Sequence, residues 1–272
     1  MSNAATVIRN RDLEPDWSVK QAREPGFMRT LITWVGGPPG YINTNPERAV
    51  ISQHCAVGLM RMPAGNRQSG VHVHSVTEIY VILKGECESF DGVGTRHRAG
   101  PLDCLYIPKG VPHGVRTLGD ADLELIWLHD AVEKAGVSVY LDGPGPFPAE
   151  AAVRLIAFDD LVPDWNGDRA KEGGHLRWRA NWVFRGGDLN PGVAVANPAL
   201  AVGVSVIAPG NSGVGHDHPF AETYVVMRGA GVVGNERIGR LDAVHFPAGV
   251  PHSVRNSGDE PLYLLWVHSG PA

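Results

Sequence analysis

The chain has 272 residues, enough for one large or two small domains with buried cores. A formal net charge of −5 argues against a surface built to hold nucleic acid or another polyanion. With 34 Gly and 21 Pro against only 19 % charged residues, coiled coil is excluded and short strands between many turns are favoured; 43 % hydrophobic content excludes wholesale disorder.

The first twenty residues are polar and lack the apolar stretch of a signal peptide. No apolar run approaches the ~20 residues that cross a bilayer. The cysteines, Cys55, Cys87 and Cys104, contain no Cys-x-x-Cys pair, so neither a sulfur-bound zinc nor a dithiol redox motif is expected. A reducing, cytoplasmic setting without membrane or nucleic-acid partners is the expectation.

From Asp12 onward the chain repeats itself. The segment Asp12–Trp17 (DLEPDW) returns as Asp160–Trp165 (DLVPDW), and Arg29 and Trp34 return as Arg177 and Trp182, all at an offset of 148. His72 and His74 return as His216 and His218, with Glu78, Tyr80 and Gly85 returning as Glu222, Tyr224 and Gly229, at an offset of 144. Gly110–His113 (GVPH) returns as Gly249–His252, and Trp127 and His129 return as Trp266 and His268, at an offset of 139. The five-residue step falls between Gly85 and Leu102, around the hairpin tip Asp91–Gly94, where length changes cost little. Gly143–Pro148 (GPGPFP) continues neither strand nor helix and reads as a linker. Two copies are therefore expected, residues 1–142 and 149–272, joined by 143–148.

Within each copy, Ile79–Leu83 and Thr223–Met227 are rich in β-branched and aromatic residues and end in Lys-Gly or Arg-Gly turns. Leu123–Leu128 and Leu262–Val267 form the last strand of each copy. Helical periodicity is weak, with one short turn expected at Ala131–Ala135. The pattern predicts an all-β sandwich or barrel, built twice.

On a strand, residues two apart share a face, so His72 and His74 point the same way, as do His216 and His218. Glu78 and Glu222 open the following strand, and His113 and His252 follow Pro/Gly-rich turns. A lone His-x-His is seldom a ligand pair, and a lone buried Glu is usually an ion-pair partner. Both copies keep all four groups in order within diverged surroundings, which favours metal binding. Three neutral imidazoles and one carboxylate leave a divalent ion with one net positive charge and, in octahedral geometry, two adjacent open positions. That is a catalytic type of site.

These residues resemble the cupin family. Its first motif matches Gly210, His216, His218, Glu222 and Gly229; the first copy matches from Gly65 to Gly85 with one extra residue before His72. The second motif matches Pro247, Gly249, His252 and Asn256; in the first copy it reads Pro108, Gly110, His113 and Thr117, so the Asn is absent. Leu102 and Leu241 stand where the motif usually has Gly, before Asp103 and Asp242. The resemblance covers most of the chain and implies a bicupin of two tandem jelly-roll barrels, each with a metal at its mouth. The fold hosts many chemistries. Oxalate decarboxylase-like cupins carry an Arg where Ser69 and Gly213 stand here, which counts against oxalate. The ligand set fits quercetinase-like and related diketone- or enediol-cleaving cupins.

The resulting expectation is a metal-dependent dioxygenase-type enzyme acting on a small enediol, diketone or phenolic substrate. Its metal ligands are His72, His74, Glu78 and His113, and His216, His218, Glu222 and His252. Glu78, Glu222, Tyr80 and Tyr224 are the candidate catalytic residues. Fe(II) or Mn(II) suits the donor set, with Ni, Cu or Zn as alternatives. The alternatives in function are a redox-neutral isomerase, hydrolase or decarboxylase on a sugar or carboxylate, and a non-enzymatic binding protein; a homodimer is a further expectation.

Other residues carry weaker signals. His129 and His268 read as outer or surface histidines. Arg67 reads as a solvated loop residue, with a hold on a substrate carboxylate as the sharper reading. Arg116 and Arg255 fall on the face opposite the metal and suggest structural ion pairs. Trp17 and Trp165 read as docking residues packed on a barrel, His97 and His175 as loop residues, and Cys104 as buried and inert.

Overall fold

The computed structural model describes residues 4–37, 41–132, 138–143, 145–165, 169 and 171–270. The turn expected at Ala131–Ala135 lies mostly outside the described residues. Strands dominate, short 3-10 turns occur at Asn10–Asp12 and Phe158–Asp160, and there is no α-helix among the described residues. No helix there is long and apolar enough to cross a membrane.

The chain forms two compact units, Leu13–Phe158 and Met1–Asp12 with Asp159–Ala272. In the first, a seven-stranded sheet runs in the order Arg154–Ile156, Cys104–Ile107, Glu78–Lys84, Leu123–His129, Ala56–Met62, Thr30–Gly36, Val50–Ile51. Its second sheet runs Val139–Tyr140, His72–Val73, His113–Leu118, Glu86–Asp91, Arg96–Ala99. In the second unit the large sheet runs Thr6–Ile8, Ala243–Phe246, Ala221–Arg228, Leu262–Ser269, Leu200–Ile207, Arg177–Phe184, Val195–Ala196. A small three-stranded sheet of the same unit runs Glu236–Ile238, Gly231–Val233, Arg255–Asn256.

The unit boundaries differ from the repeat boundaries at each end. Thr6–Ile8 pairs with Ala243–Phe246 of the second unit, and Arg154–Ile156 pairs with Cys104–Ile107 of the first. Each sheet edge would otherwise expose a row of unpaired N–H and C=O groups, and a strand from the other copy covers it. The repeat identifies equivalent strands but carries no signal for which edge a terminal strand joins.

Alternation along the strands builds each core. Tyr80 and Ile82 join Met60, Met62, Leu105, Leu125 and Trp127 in the first barrel; Tyr224 and Val226 join Ile207, Phe246, Leu264 and Trp266 in the second. The inward row of each long strand ends on a polar group: Glu78 precedes Tyr80 and Ile82, and His129 follows Leu125 and Trp127. A glycine lies opposite the last-strand tryptophan of each barrel, Gly58 across from Trp127 and Gly203 across from Trp266. A Cβ on Gly203 would fall on the Trp266 ring and the Ala180 carbonyl, so only glycine lets that indole lie against the sheet.

Leu102 and Leu241 both adopt left-handed backbone, with φ of 71° and 70°. Glycine takes that conformation without the Cβ clash, so leucine carries local strain at both places. The following aspartates offset part of it. Asp103 accepts the N–H of Gly100 at 2.8 Å, and Asp242 accepts that of Gly239 at 3.0 Å. Cys55, Cys87 and Cys104 are buried thiols. Burial pushes the Cys87 thiol up to about 12 and Cys104 higher still, so neither is a ready nucleophile at neutral pH.

Candidate metal centres

The two four-residue groups read from the sequence each converge. One donor atom from each of His72, His74, Glu78 and His113 lies within 4.8 Å of the others, and the same holds for His216, His218, Glu222 and His252. Strand register causes this. His72 pairs with His113, and His216 bridges His252, so residues distant in sequence face one another across the barrel mouth.

In the second centre, all three imidazoles are held by backbone carbonyls. His216 Nδ1 donates to Val214 O at 2.9 Å, His218 Nδ1 to Phe220 O at 2.8 Å, and His252 Nδ1 to Val250 O at 2.8 Å. A carbonyl only accepts, so each Nδ1 carries hydrogen and each Nε2 turns inward. His218 Nε2 and His252 Nε2 lie 3.1 and 2.7 Å from Glu222 Oε2. In the first centre His113 repeats the device, with Nδ1 donating to Val111 O at 2.8 Å and Nε2 2.8 Å from Glu78 Oε2. His74 Nε2 lies 3.2 Å from the same oxygen. Preset Nε2 donors beside a carboxylate fit a first-row divalent ion.

A fifth group joins each centre. His129 Nε2 lies 3.3 Å from Glu78 Oε1, and His268 Nε2 lies 2.9 Å from Glu222 Oε1. Both histidines end the inward row of the last strand, directly across from the glutamate in register. They are buried or half-buried and bond the glutamate from outside the four-residue group, which is the outer and not the surface position of the two the sequence suggested. The matched Trp-x-His in both copies was the available signal. His129 Nδ1 in turn lies 2.5 Å from Tyr41 Oη. Tyr80 Oη donates to Glu78 Oε2 at 2.9 Å, and Tyr224 hydrogen-bonds Glu222.

The electrostatics follow from these contacts. Burial alone would raise the Glu222 carboxyl; hydrogen bonds from His218, His252 and His268 outweigh it and hold the group well below its ordinary value. At Glu78, burial again opposes, while the charge of His74 and bonds from His113, His129 and His74 win. Burial, then the adjacent glutamate, pushes both Tyr80 and Tyr224 well above the ordinary phenol value, so both stay protonated. Burial and the neighbouring His113 drive His72 well down.

The surroundings of the two centres differ. The first adjoins a cavity of only about 40 Å³, whose lining includes Leu31, Ile42, Met60 and Tyr140. The second opens onto about 830 Å³. The linings differ at one cross-strand pair: Leu31 pairs with Met60 in the first barrel, and its counterpart in the second is Arg179 with Ser205.

The weaker expectations divide. Arg116 pairs with Glu88 at 3.0 Å, a structural ion pair. Arg67 stacks over Phe27 and does not line the first metal cavity. Arg255 is exposed, and His175 Nδ1 donates to Ser212 O. Trp17 and Trp165 are half-buried, and the aspartates before them bridge Leu31 and Arg179.

The profile of the cupin domain matches residues 58–129 and 203–268, half of the chain. The chain belongs to the cupin family. The dimethylsulfoniopropionate lyase DddQ of Ruegeria pomeroyi is 35 % identical over 92 residues, 34 % of this cupin. This cupin spans only 45 % of the length of DddQ. Protein SchB of Streptomyces halstedii is 32 % identical over 131 residues, covering 45 % of this cupin and 80 % of SchB. Among solved structures, the oxalate decarboxylase of Lactobacillus farciminis superposes with a TM-score of 0.66 at 16 % identity, over 100 % of this cupin and 87 % of that chain. A variant of salicylate 1,2-dioxygenase from Pseudoaminobacter salicylatoxidans gives 0.62 at 14 % identity, over 96 % and 83 %. At such identities the likeness is one of fold, and the fold is that of a bicupin.

Proposed function

We propose that this cupin is a metal-dependent oxygenase, working at its second centre on a small chelating substrate such as an enediol, a diketone or a phenolic compound. One observation carries the reading: the donors of His216, His218, Glu222 and His252 converge, and His216 and Glu222 among them line a cavity large enough for a small molecule. A bound Fe(II) or Mn(II) would supply Lewis acidity and adjacent open positions for the substrate's oxygens and dioxygen. The protein supplies the rest. Glu222, held ionised, is placed to accept a proton from a chelating hydroxyl. Tyr224, held protonated, is placed to donate a hydrogen bond to an oxygen on which charge develops. His268 fixes the second carboxylate oxygen of Glu222 and so its orientation. The first centre, with room for a few waters only, is assigned a structural role.

Oxygen uptake by iron-loaded protein, tested on a panel of enediols and catechols, checks this. Uptake is expected in the wild type and lost in His218→Ala. No uptake with any substrate or metal would overturn the oxygenase reading.

A redox-neutral reading is favoured by a separate observation, the similarity to an enzyme named as a lyase. It predicts turnover under argon by the Zn(II) or Mn(II) form, with Glu222 as the base. Turnover that stops without oxygen excludes it.

A further inference from the structure

The cavity beside the second centre is lined by four arginines, Arg169, Arg177, Arg179 and Arg185, and Glu222 is the only acid among its described lining residues. Such an excess of guanidinium in a concave site is not needed to hold a metal. It raises the local positive potential where a substrate must enter.

Arg177 is the most telling of the four. Its Nε is buried and has no hydrogen-bond partner. A buried guanidinium donor with no acceptor inside the protein, at the wall of a cavity, is placed to donate to a ligand. Its counterpart in the first copy, Arg29, shows the alternative. Arg29 donates to Lys20 O at 2.8 Å, Phe27 O at 3.0 Å and Tyr140 Oη at 3.2 Å, and is satisfied within the protein. Arg179 lies two residues along the same strand from Arg177, on the same face, and is kept in place by Asp164 at 3.1 Å. Burial and the like charge of Arg179 both disfavour the charged form of Arg177, a cost that a bound anion would offset. The carboxylates of Asp164 and Glu222 act the other way, and the influence of Glu222 puts Arg177 within electrostatic reach of the metal ligands.

We infer that Arg177 and Arg179 form an oxyanion subsite, and that the substrate of the second centre carries a carboxylate in addition to the oxygens that chelate the metal. Paired guanidiniums match the planar, bidentate geometry of a carboxylate. Arg29 and Leu31 occupy the equivalent places in the first barrel, where Arg29 is taken up by acceptors of the protein and Leu31 offers no donor, so the subsite belongs to the second centre alone. The inference rests on the proposed binding of a chelating substrate at that centre.

The test uses the zinc-loaded full chain, which is redox-silent, and two probes measured by calorimetry: catechol and 3,4-dihydroxybenzoate. The acid is expected to bind at least about tenfold tighter at low salt. That preference is expected to fall to within about twofold in Arg177→Gln and Arg179→Gln, to recover in part in Arg177→Lys, and to persist in Arg96→Gln. Zinc content and melting temperature of each variant show that the fold is retained. Millimolar inorganic phosphate that displaces the acid but not catechol would widen the subsite to phosphoryl groups; phosphate without effect would restrict it to carboxylates. Equal affinity for the two probes in the wild type overturns the subsite and leaves the chelation reading intact. A preference unchanged in both glutamine variants also overturns it. Binding of neither probe, with zinc retained, overturns both readings.

Discussion

His268 and Glu222 face each other across two antiparallel strands, and the His268 Nε2 lies 2.9 Å from Glu222 Oε1. His129 and Glu78 repeat the relationship at 3.3 Å. The glutamate therefore has its two oxygens divided between the metal-facing histidines and a histidine behind them. Groups that orient a ligand in this way are usually worth 10–100-fold in metal affinity or activity. His268→Phe is expected to weaken metal binding at the second centre and lower kcat/KM within that range. His129→Phe is expected to weaken metal binding at the first centre and leave kcat unchanged. Metal titration and steady-state kinetics on both variants check this.

The linings of the larger and the smaller cavity differ at one cross-strand pair, so that pair is open to transplantation. Arg179→Leu with Ser205→Met gives the second barrel the Leu31–Met60 pair of the first. The double variant is expected to keep two metals per chain and to lose at least about 100-fold in kcat/KM, roughly 3 kcal/mol, through exclusion of substrate together with loss of the Arg179 contact. Wild-type kinetics in that variant would show that the pair does not control access.

Much of the site was legible because the chain states it twice. A single His-x-His carries little weight, but eight ligands kept in order through two diverged copies outweigh chance. Alternation along Glu78–Lys84 and Ala221–Arg228 also set Tyr80 and Tyr224 on the metal face. What stayed hidden depends on pairing between distant strands. His129 reaches Glu78 only because Leu123–His129 runs antiparallel to Glu78–Lys84 in that register. Of the arginines of the second cavity, Arg177 and Arg179 come from a strand whose first-copy equivalent is apolar at Leu31, and no local pattern says which side chains will fill a barrel mouth. The covering of each sheet edge by a strand from the other copy is likewise a tertiary choice between similar edges.

His245 offers a stability test away from the cavity. Burial pushes it down to about 4, and its Nδ1 lies 2.9 Å from Thr223 Oγ1. Between pH 6.5 and 4 the unfolded chain binds a proton at His245 and the folded chain does not, so this residue's contribution is full above pH 6.5 and is lost as pH falls toward 4. The loss amounts to at most about 3 kcal/mol. Denaturant unfolding of wild type and His245→Gln across this window is expected to show a steeper decline for the wild type. Parallel profiles would contradict the assignment.

The central claim is that each barrel gathers its three histidines and one glutamate around a single ion. The direct measurement is elemental analysis of chain purified without chelator or metal-affinity resin, for the wild type, His74→Ala and His218→Ala. Two equivalents of metal in the wild type and close to one in each variant are predicted. A metal-free wild type that stays so after exposure to Fe(II), Mn(II) and Zn(II), or metal content unchanged by either substitution, would contradict it.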